Sequence, residues 1–110
     1  MLSKGPRAIV GKDPGQIYIM RSGSHYDDLY KIGFTRRSSE ARAVELSSET
    51  GVPTGFGVLA SWEVGDCARV EGEIHKRLKH LRVNTRREFF RGNLQAIFRI
   101  INEAVEKQGG

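Results

Sequence analysis

Two short segments near the start of the chain bring a phenol and an ammonium group into one region. Tyr18 ends the segment GQIY (15–18), Lys31 begins the segment KIG (31–33), and a polar stretch at 21–28 separates them. Both segments have the composition of β-strands, so the pattern predicts a β-hairpin. A tyrosine and a lysine held together in a basic chain indicate phosphodiester chemistry more than packing.

Cleavage of a phosphodiester requires an activated water, a cation on the non-bridging oxygens and help for the leaving oxygen. Tyr18 is a candidate for activating or positioning the water. Because a phenol titrates near pH 10, it needs a nearby positive charge that lowers its pKa. Lys31 across the hairpin, or a bound metal, can supply that charge, and Lys31 can instead contact a phosphate oxygen directly. The structural alternative is a strand tyrosine half-buried in the sheet.

Glu71 and His75 lie on a predicted helix whose apolar residues form one stripe. At about 100° per residue, Glu71 lies roughly 40° from Cys67 and roughly 20° from Leu78, on the edge of that stripe. A carboxylate held against the core needs a partner, either a divalent cation or an arginine such as Arg42. Mg²⁺ suits a single carboxylate because it keeps several waters and takes phosphate oxygens. His75 shares the face and is a candidate metal ligand, hydrogen-bond donor or leaving-group acid, or else a boundary residue.

The charge of the chain favours an anionic partner. With 18 Lys+Arg against 13 Asp+Glu, the net charge is +5, and nucleic acid is the commonest partner of a basic domain. The planar guanidinium of Arg42 is a candidate for bidentate phosphate binding, and Arg36 and Arg37 are candidates for flanking phosphates. Further cations are concentrated at 76–91. Their density predicts a surface that binds the nucleic-acid backbone, and the alternative is a solvated protein face without a ligand. These cations are Lys76, Arg77, Lys79, Arg82, Arg86, Arg87 and Arg91.

The basic stretch also contains Glu88, Phe89 and Phe90. Glu88 either pairs with neighbouring arginines or adds a second acidic group near a metal, and the structural pairing is the preferred interpretation. Phe89 and Phe90 are predicted to fill the core rather than to stack on bases.

Length and cysteine content limit the class of protein. A chain of 110 residues supports one domain with one core. Its apolar runs are too short to span a membrane, and no apolar segment at the start predicts a signal peptide. Cys67 is the single cysteine, which excludes a disulfide framework and a multi-cysteine zinc site and fits a cytoplasmic location.

The predicted fold class is α+β, with elements in the order β-β-α-β-α-α. The hairpin and a third strand at 55–64 form a three-stranded antiparallel sheet flanked by helices. The first helix is predicted to begin at a cap on Ser38 or Ser39 and to end at about 49. The second is predicted to follow a cap on Asp66 and to run from about 67 to 81, and the last to begin at a cap on Asn93. Residues 1–14 are predicted to be a loose lead-in, 15–108 a single domain, and 82–91 a basic loop.

The order and spacing of these residues resemble the GIY-YIG nuclease superfamily, in particular its small stand-alone branch of phages and bacterial genomes. Residues 15–18 match the first half-motif with one residue inserted, and 31–33 match the second, with Lys31 where the usual pattern has tyrosine. Arg42 lies nine residues after Gly33, where the family has its arginine. Glu71 matches the metal-binding glutamate, and Gly33 is expected to let backbone and substrate approach closely.

The resemblance implies an endonuclease that depends on Mg²⁺ or Mn²⁺ and acts on nucleic acid, DNA rather than RNA. It implies catalytic roles for Tyr18, Lys31, Arg42 and His75, with the metal on Glu71. Specificity in this superfamily usually comes from attached DNA-binding domains, so weak sequence preference is expected, or targeting by a homodimer or a partner protein. The alternative is a nucleic-acid-binding module that has kept the fold and lost cleavage, because Lys31 replaces a tyrosine.

Overall fold

Over the part of the chain that the structure describes, one antiparallel sheet of five strands with helices on both faces forms the framework of the protein. The computed structural model describes residues 11–22, 28–50, 56–83 and 86–107, without the side chains at 22, 48–50, 86 and 87. In chain order the elements are β1 (Gly15–Ser22), β2 (Leu29–Thr35), α1 (Ser39–Thr50), β3 (Phe56–Val64), α2 (Cys67–Arg77), a 3₁₀ turn (Lys79–Leu81), β4 (Arg82–Val83), β5 (Arg86–Arg91) and α3 (Leu94–Lys107).

The strand order is β3-β1-β2-β5-β4, so β1 is paired on both sides. Successive strand residues point to opposite faces of a sheet. Ile17 and Ile19 therefore enter the main core under α2 and α3, whereas Tyr18 and Met20 enter a smaller core under α1. Burial on both faces explains why β1 is apolar without alternation.

The helices begin where the sequence supplies a polar residue. Ser38 and Asn93 cap α1 and α3, because the side-chain oxygen of each accepts a backbone N–H three residues on at 3.0 Å. Asp66 precedes α2 as predicted, but the predicted side-chain cap is wrong: its carboxylate makes no capping hydrogen bond to α2, and it accepts the backbone N–H of Lys12 at 3.0 Å and pairs with Arg69 instead. Within the described residues, no helix combines the length and apolarity needed to cross a bilayer.

The α+β class is confirmed, whereas the three-stranded sheet and the order β-β-α-β-α-α are wrong. Strands β4 and β5 occupy the segment predicted to be a basic loop. Strand β5 lacks an alternating pattern because Phe90 is buried in the main core while Phe89 packs on the other face, near Lys31 and Phe56. The second helix also ends at Arg77, and a 3₁₀ turn takes the place of its predicted last turn.

The last residues of the predicted lead-in are attached to the fold. The backbone N–H of Asp13 donates to the Gly65 carbonyl at 3.0 Å, and the Asp13 carbonyl accepts from the Cys67 N–H at 2.9 Å. These bonds fix the chain at the corner between β3 and α2, directly before β1 begins. Residues 1–10 lie outside the described residues.

Candidate active site

The pairing between β2 and β5 ends partway along β2. The described ladder joins 29–31 of β2 to 89–91 of β5, although β2 continues to Thr35. Just beyond the last pair, the carbonyl oxygen of Ile32 accepts a hydrogen bond from Nε2 of His75 at 2.9 Å. Residues 32–35 of β2 have no partner in this described ladder, and we call this unpaired stretch the opening in the sheet.

Tyr18 reaches this opening across Gly33, its cross-strand partner. A Cβ atom at Gly33 would lie 2.6 Å from the Tyr18 hydroxyl oxygen and 2.8 Å from Cζ, so any larger residue would displace the ring. Gly33 thus accommodates the phenol ring, whereas the sequence suggested close approach of a substrate. The ring is buried, with 2 % of the residue exposed.

The cation beside the Tyr18 hydroxyl is Arg42, from α1. Its guanidinium donates a hydrogen bond to the phenol oxygen. Burial nevertheless raises the pKa of Tyr18 to about 12, and the negative charges of Glu88 and Glu71 act in the same direction, while Arg42 opposes them. The phenol is therefore protonated at neutral pH. Lys31, expected to supply the supporting charge, is engaged elsewhere.

Lys31 is buried in an ion pair with Glu88. The Lys31 side chain is 8 % exposed and the Glu88 side chain 47 % exposed, and the ammonium lies 5.6 Å from the centre of the Phe89 ring. The pair joins β2 to β5 where their ladder ends. Glu88 therefore forms an ion pair, which is the interpretation that the sequence favoured. Its partner is a lysine 57 residues away in the sequence rather than a neighbouring arginine.

Glu71, from α2, lies at the opening with little contact to solvent. Its side chain is 16 % exposed, and its carboxylate is 3.7 Å from Nε2 of His75. Burial, together with the negative charge of Glu88, raises the pKa of Glu71 to about 7. The alternative pairing with Arg42 does not form, because Arg42 contacts the Tyr18 hydroxyl and Glu45 instead. Among the described residues, no lysine or arginine forms an ion pair with this carboxylate.

His75 is fixed by two neighbours. Its Nε2 carries a proton, because the Ile32 carbonyl at 2.9 Å can only accept a hydrogen bond. Its ring meets Phe90 edge-on, with 4.9 Å between the ring centroids. Burial lowers the pKa of His75, so the ring is neutral at pH 7. Because the imidazole is neutral and already donates its proton to the Ile32 carbonyl, His75 is better suited to positioning this backbone than to protonating a leaving oxygen.

The opening offers few ligands for a metal, and they suit a hard cation. Among the described residues, no group of three or more His, Cys, Asp or Glu side chains is arranged to hold a metal. Glu71 supplies one carboxylate, and Glu88 places a second negative charge near it. This sparse oxygen set fits Mg²⁺ or Mn²⁺, which keep several waters and bind phosphate oxygens, and does not fit a closed zinc site.

The family of the chain follows from one comparison. The model of the T5orf172 domain matches residues 15–105, a span that contains every site residue described above. The chain belongs to the T5orf172 domain family. This phage-associated domain is related to homing endonucleases and GIY-YIG-like nucleases, which indicates a nuclease-like or nucleic-acid-binding role. No curated protein and no solved structure matches the chain.

The arginines before α1 of this T5orf172 domain are held by carboxylates. Arg36 forms two hydrogen bonds with Asp13, at 2.6 and 2.9 Å. Arg37 pairs with Glu45, which also contacts Arg42 at 3.2 Å. A flanking phosphate would therefore have to displace Asp13 or Glu45 from its arginine.

The cations at the end of α2 and beyond it are differently placed. Lys76, Lys79 and Arg82 form no ion pair within the described part of the T5orf172 domain. Arg82 lines a cavity of about 370 Å³ together with His80 and Arg91. The side chains of two further predicted contacts lie outside the described residues; they are Arg86 and Arg87.

Arg82 lies at the opening itself. Its guanidinium carbon is 5.7 Å from the centre of the Phe90 ring, and its positive charge lowers the pKa of both Glu71 and His75. Its Nε is buried without a hydrogen-bond partner among the described residues. The sequence placed Arg82 in a broad basic surface, and the structure brings it beside the predicted metal ligand.

Proposed function

We propose that this T5orf172 domain is a metal-dependent endonuclease of the GIY-YIG type that hydrolyses phosphodiester bonds in nucleic acid, DNA in preference to RNA. One observation carries the proposal: Tyr18, Arg42 and Glu71 come from β1, α1 and α2 and converge on one opening in the sheet. The pKa of Tyr18 responds to the charges of both other residues. Packing alone gives no reason for a phenol, a guanidinium and a carboxyl to meet there.

Arg42 is proposed to bind the non-bridging oxygens of the scissile phosphate. A guanidinium has five N–H donors, so Arg42 can keep its hydrogen bond to Tyr18 while other donors face the phosphate. Its side chain is 32 % exposed and is therefore within reach of a ligand. Glu45 holds part of the guanidinium in the free protein, and a phosphate would replace this carboxylate as the anion. The charge that develops in the transition state is then stabilised by donors already in position.

Tyr18 is proposed to orient the attacking water as a neutral phenol. With a pKa of about 12 it is protonated near pH 7 and is a poor general base there. A phenol both donates and accepts hydrogen bonds. Because its oxygen accepts from Arg42, its own proton is available to a water or a phosphate oxygen. Because Gly33 has no side chain, the Tyr18 ring packs directly against its backbone, and this contact holds the hydroxyl in position.

Glu71 is proposed to hold the divalent cation, which when bound polarises the phosphate and lowers the pKa of a coordinated water. The carboxyl has a pKa of about 7, so a proton and a cation compete for it near neutral pH. His75 would position the neighbouring backbone through Ile32. Lys31 would limit the negative charge around the cation site by pairing with Glu88.

Arg82 at the opening, with Lys76 and Lys79 farther from it, is proposed to bind the backbone of the substrate. Contacts between lysine or arginine and phosphate are independent of sequence and weaken as salt rises. A nuclease that relied on them would cut with little sequence preference.

A nucleic-acid-binding module without cleavage is the second candidate. The buried Lys31–Glu88 pair favours it, because Lys31 stands where the superfamily usually has a second tyrosine and its ammonium is held by a carboxylate. Such a module would still use Lys76, Lys79 and Arg82.

Incubation of the purified protein with supercoiled plasmid and with single-stranded DNA, in Mg²⁺, Mn²⁺ or EDTA, separates the two candidates. We expect metal-dependent nicking that is lost in Glu71→Gln and in Arg42→Ala. Two matched controls on α2 are expected to keep activity, because their side chains lie in ion pairs away from the opening: Glu73→Gln and Arg69→Ala. RNA of equal length in the same assay tests the preference for DNA.

Two results would count against the nuclease. Binding without cleavage in every metal, weakened by Arg42→Ala and unchanged by Glu71→Gln, would establish the binding module. Nicking that survives both substitutions at the wild-type rate would show that the opening in the sheet is not the active site.

A further inference from the structure

The outer side of α3 carries an apolar groove that is separate from the opening in the sheet. Phe98 is 39 % exposed, and its ring centroid is 5.2 Å from that of Trp62. Nε1 of Trp62 donates a hydrogen bond to the Asn102 side-chain oxygen at 2.7 Å. Leu94, Phe98 and Asn102 are among the residues that line the groove, which has a volume of about 550 Å³. An exposed aromatic anchor in such a groove is typical of a contact surface.

Charged side chains form the other edge of this groove. At about 100° per residue, Arg99, Glu103 and Glu106 fall within an arc of about 60°, next to the arc of Phe98. All three are exposed. None has an ion-pair partner within the described ranges, although Arg99 and Glu103 are four residues apart on one helix. The α3 face, comprising Leu94, Phe98, Arg99, Asn102, Glu103 and Glu106, therefore joins an apolar edge to an edge with both charges.

We propose that the α3 face is the contact surface of a homodimer in which two α3 helices pack antiparallel about a two-fold axis. A two-fold axis perpendicular to the plane of the helix pair keeps each edge of the face on its own side. The apolar edge then meets the same edge of the partner subunit. With the axis at the level of Ile101, Arg99 meets Glu103 of the partner subunit, and the reverse contact forms as well. Phe98 then lies beside Asn102 of the partner subunit, within the apolar edge.

The charges of the α3 face select a second copy of the chain as its occupant. Glu103 and Glu106 lie beside Arg99 on the face and beside Arg77 and Lys107 in the adjoining cavity, so this surface carries both charges rather than the excess of cations that nucleic acid requires. Because the face carries both members of an ion pair, an identical face satisfies both at once. This dimer does not depend on the proposed cleavage activity.

The size of the α3 face sets the expected affinity. A helix of 14 residues is about 21 Å long, so one helix pair makes an interface at the small end of the known range. We therefore expect dissociation constants on the order of 10–100 µM. Sedimentation velocity from about 5 to about 300 µM covers this range, and the wild type should shift from monomer to dimer.

Charge reversal tests the contact between subunits directly. Arg99→Glu and Glu103→Arg are each expected to be monomeric, because both contacts across the axis become like-charged. An equimolar mixture of the two variants is expected to dimerise, because every contact across the axis again joins opposite charges. An ion pair within one helix is not restored by mixing, so only the proposed contact gives this result.

Apolar variants locate the contact. Phe98→Asp is expected to abolish the dimer, whereas Val44→Asp on α1 and Leu59→Asp on β3, the other exposed large apolar residues among those described, are expected to retain it. The fluorescence of Trp62, the single tryptophan, is expected to change with protein concentration in step with dimerisation. Circular dichroism confirms that each variant is folded.

Three outcomes would overturn the proposal. The first is a wild type that stays monomeric at the highest concentration. The second is a mixture of charge-reversal variants that fails to dimerise. The third is a dimer lost in Leu59→Asp and kept in Phe98→Asp, which would place the contact on the edge strand β3.

Discussion

Replacing Glu71 by glutamine is expected to stabilise the protein, and to do so increasingly as the pH rises. Burial and the charge of Glu88 raise the pKa of this carboxyl from 4.5 to about 7. The folded protein therefore holds the proton more tightly than the unfolded chain does, and it loses stability as the pH rises between these two values. Glutamine keeps the shape of the side chain and carries no charge that must be buried.

The expected gain follows from the two pKa values. Each pH unit between 4.5 and about 7 corresponds to about 1.4 kcal/mol. Ionised Glu71 therefore costs the folded state on the order of 3 kcal/mol at pH 8 and almost nothing below about pH 4. The side chain is 16 % exposed, so solvent screens the effect little. For a domain of this size, the melting temperature of Glu71→Gln at pH 8 should rise by on the order of 10 °C.

Thermal unfolding of the wild type and the variant, followed by circular dichroism from pH 4 to pH 8, measures this difference. The control is Glu73→Gln on the same helix. The hydrogen bond from Arg77 at 2.9 Å lowers the pKa of Glu73, so its loss should destabilise the protein at pH 8, the opposite sign. A gain for Glu71→Gln that is equal at pH 4 and pH 8, or a loss at pH 8, would refute the description of Glu71 as a buried carboxyl without a cationic partner.

Mg²⁺ gives a second readout from the same experiment. At pH 8, added Mg²⁺ is expected to raise the melting temperature of the wild type, because a ligand of the folded state stabilises it. The melting temperature of Glu71→Gln is expected to stay constant. An equal rise in both proteins would show that the cation binds elsewhere.

Three further predictions concern the neighbouring contacts. Gly33→Ala is expected to lose about 1–3 kcal/mol in urea denaturation, because its methyl group would overlap the Tyr18 ring; unchanged stability would contradict the close contact. Glu88→Gln should destabilise the protein more than Lys31→Met. The first change leaves the Lys31 ammonium, which is 8 % exposed, without its carboxylate, whereas the second leaves the Glu88 carboxylate, which is 47 % exposed and can be hydrated. Equal losses of stability in the same assay would argue against a buried ammonium. Arg82→Ala should lower the salt slope of DNA binding, measured by fluorescence anisotropy, by about one; an unchanged slope would place Arg82 outside the interface.

The helices were predictable because their signals are local. The apolar stripe of α2 appears in the sequence at three- and four-residue steps, and its members Cys67, Val70 and Ile74 are buried. The caps of α1 and α3 were equally visible, because a capping side chain bonds to a backbone group three residues away. No knowledge of the rest of the chain was needed for these elements.

Strand β5 was not predictable, because the features that define it are not local in the sequence. A strand buried on both faces shows no alternation, and its identity depends on its partner β2, about sixty residues earlier. Its arginines and Glu88 resembled a solvated loop. The number of strands in the sheet was therefore decided by pairing between distant segments.

The sequence by itself determined which residues of the candidate site were available, their order in the chain and the helical face that carries Glu71. Residue type and spacing fix these features, because they depend on neighbours within one or two turns. The tertiary structure decided which charges meet: Arg42 rather than Lys31 beside Tyr18, Glu88 on Lys31, and Arg82 near Glu71. It also decided that burial raises the pKa of Tyr18 and of Glu71. Contact between charges and exclusion of water depend on segments brought together from distant parts of the chain, and local spacing carries no record of either.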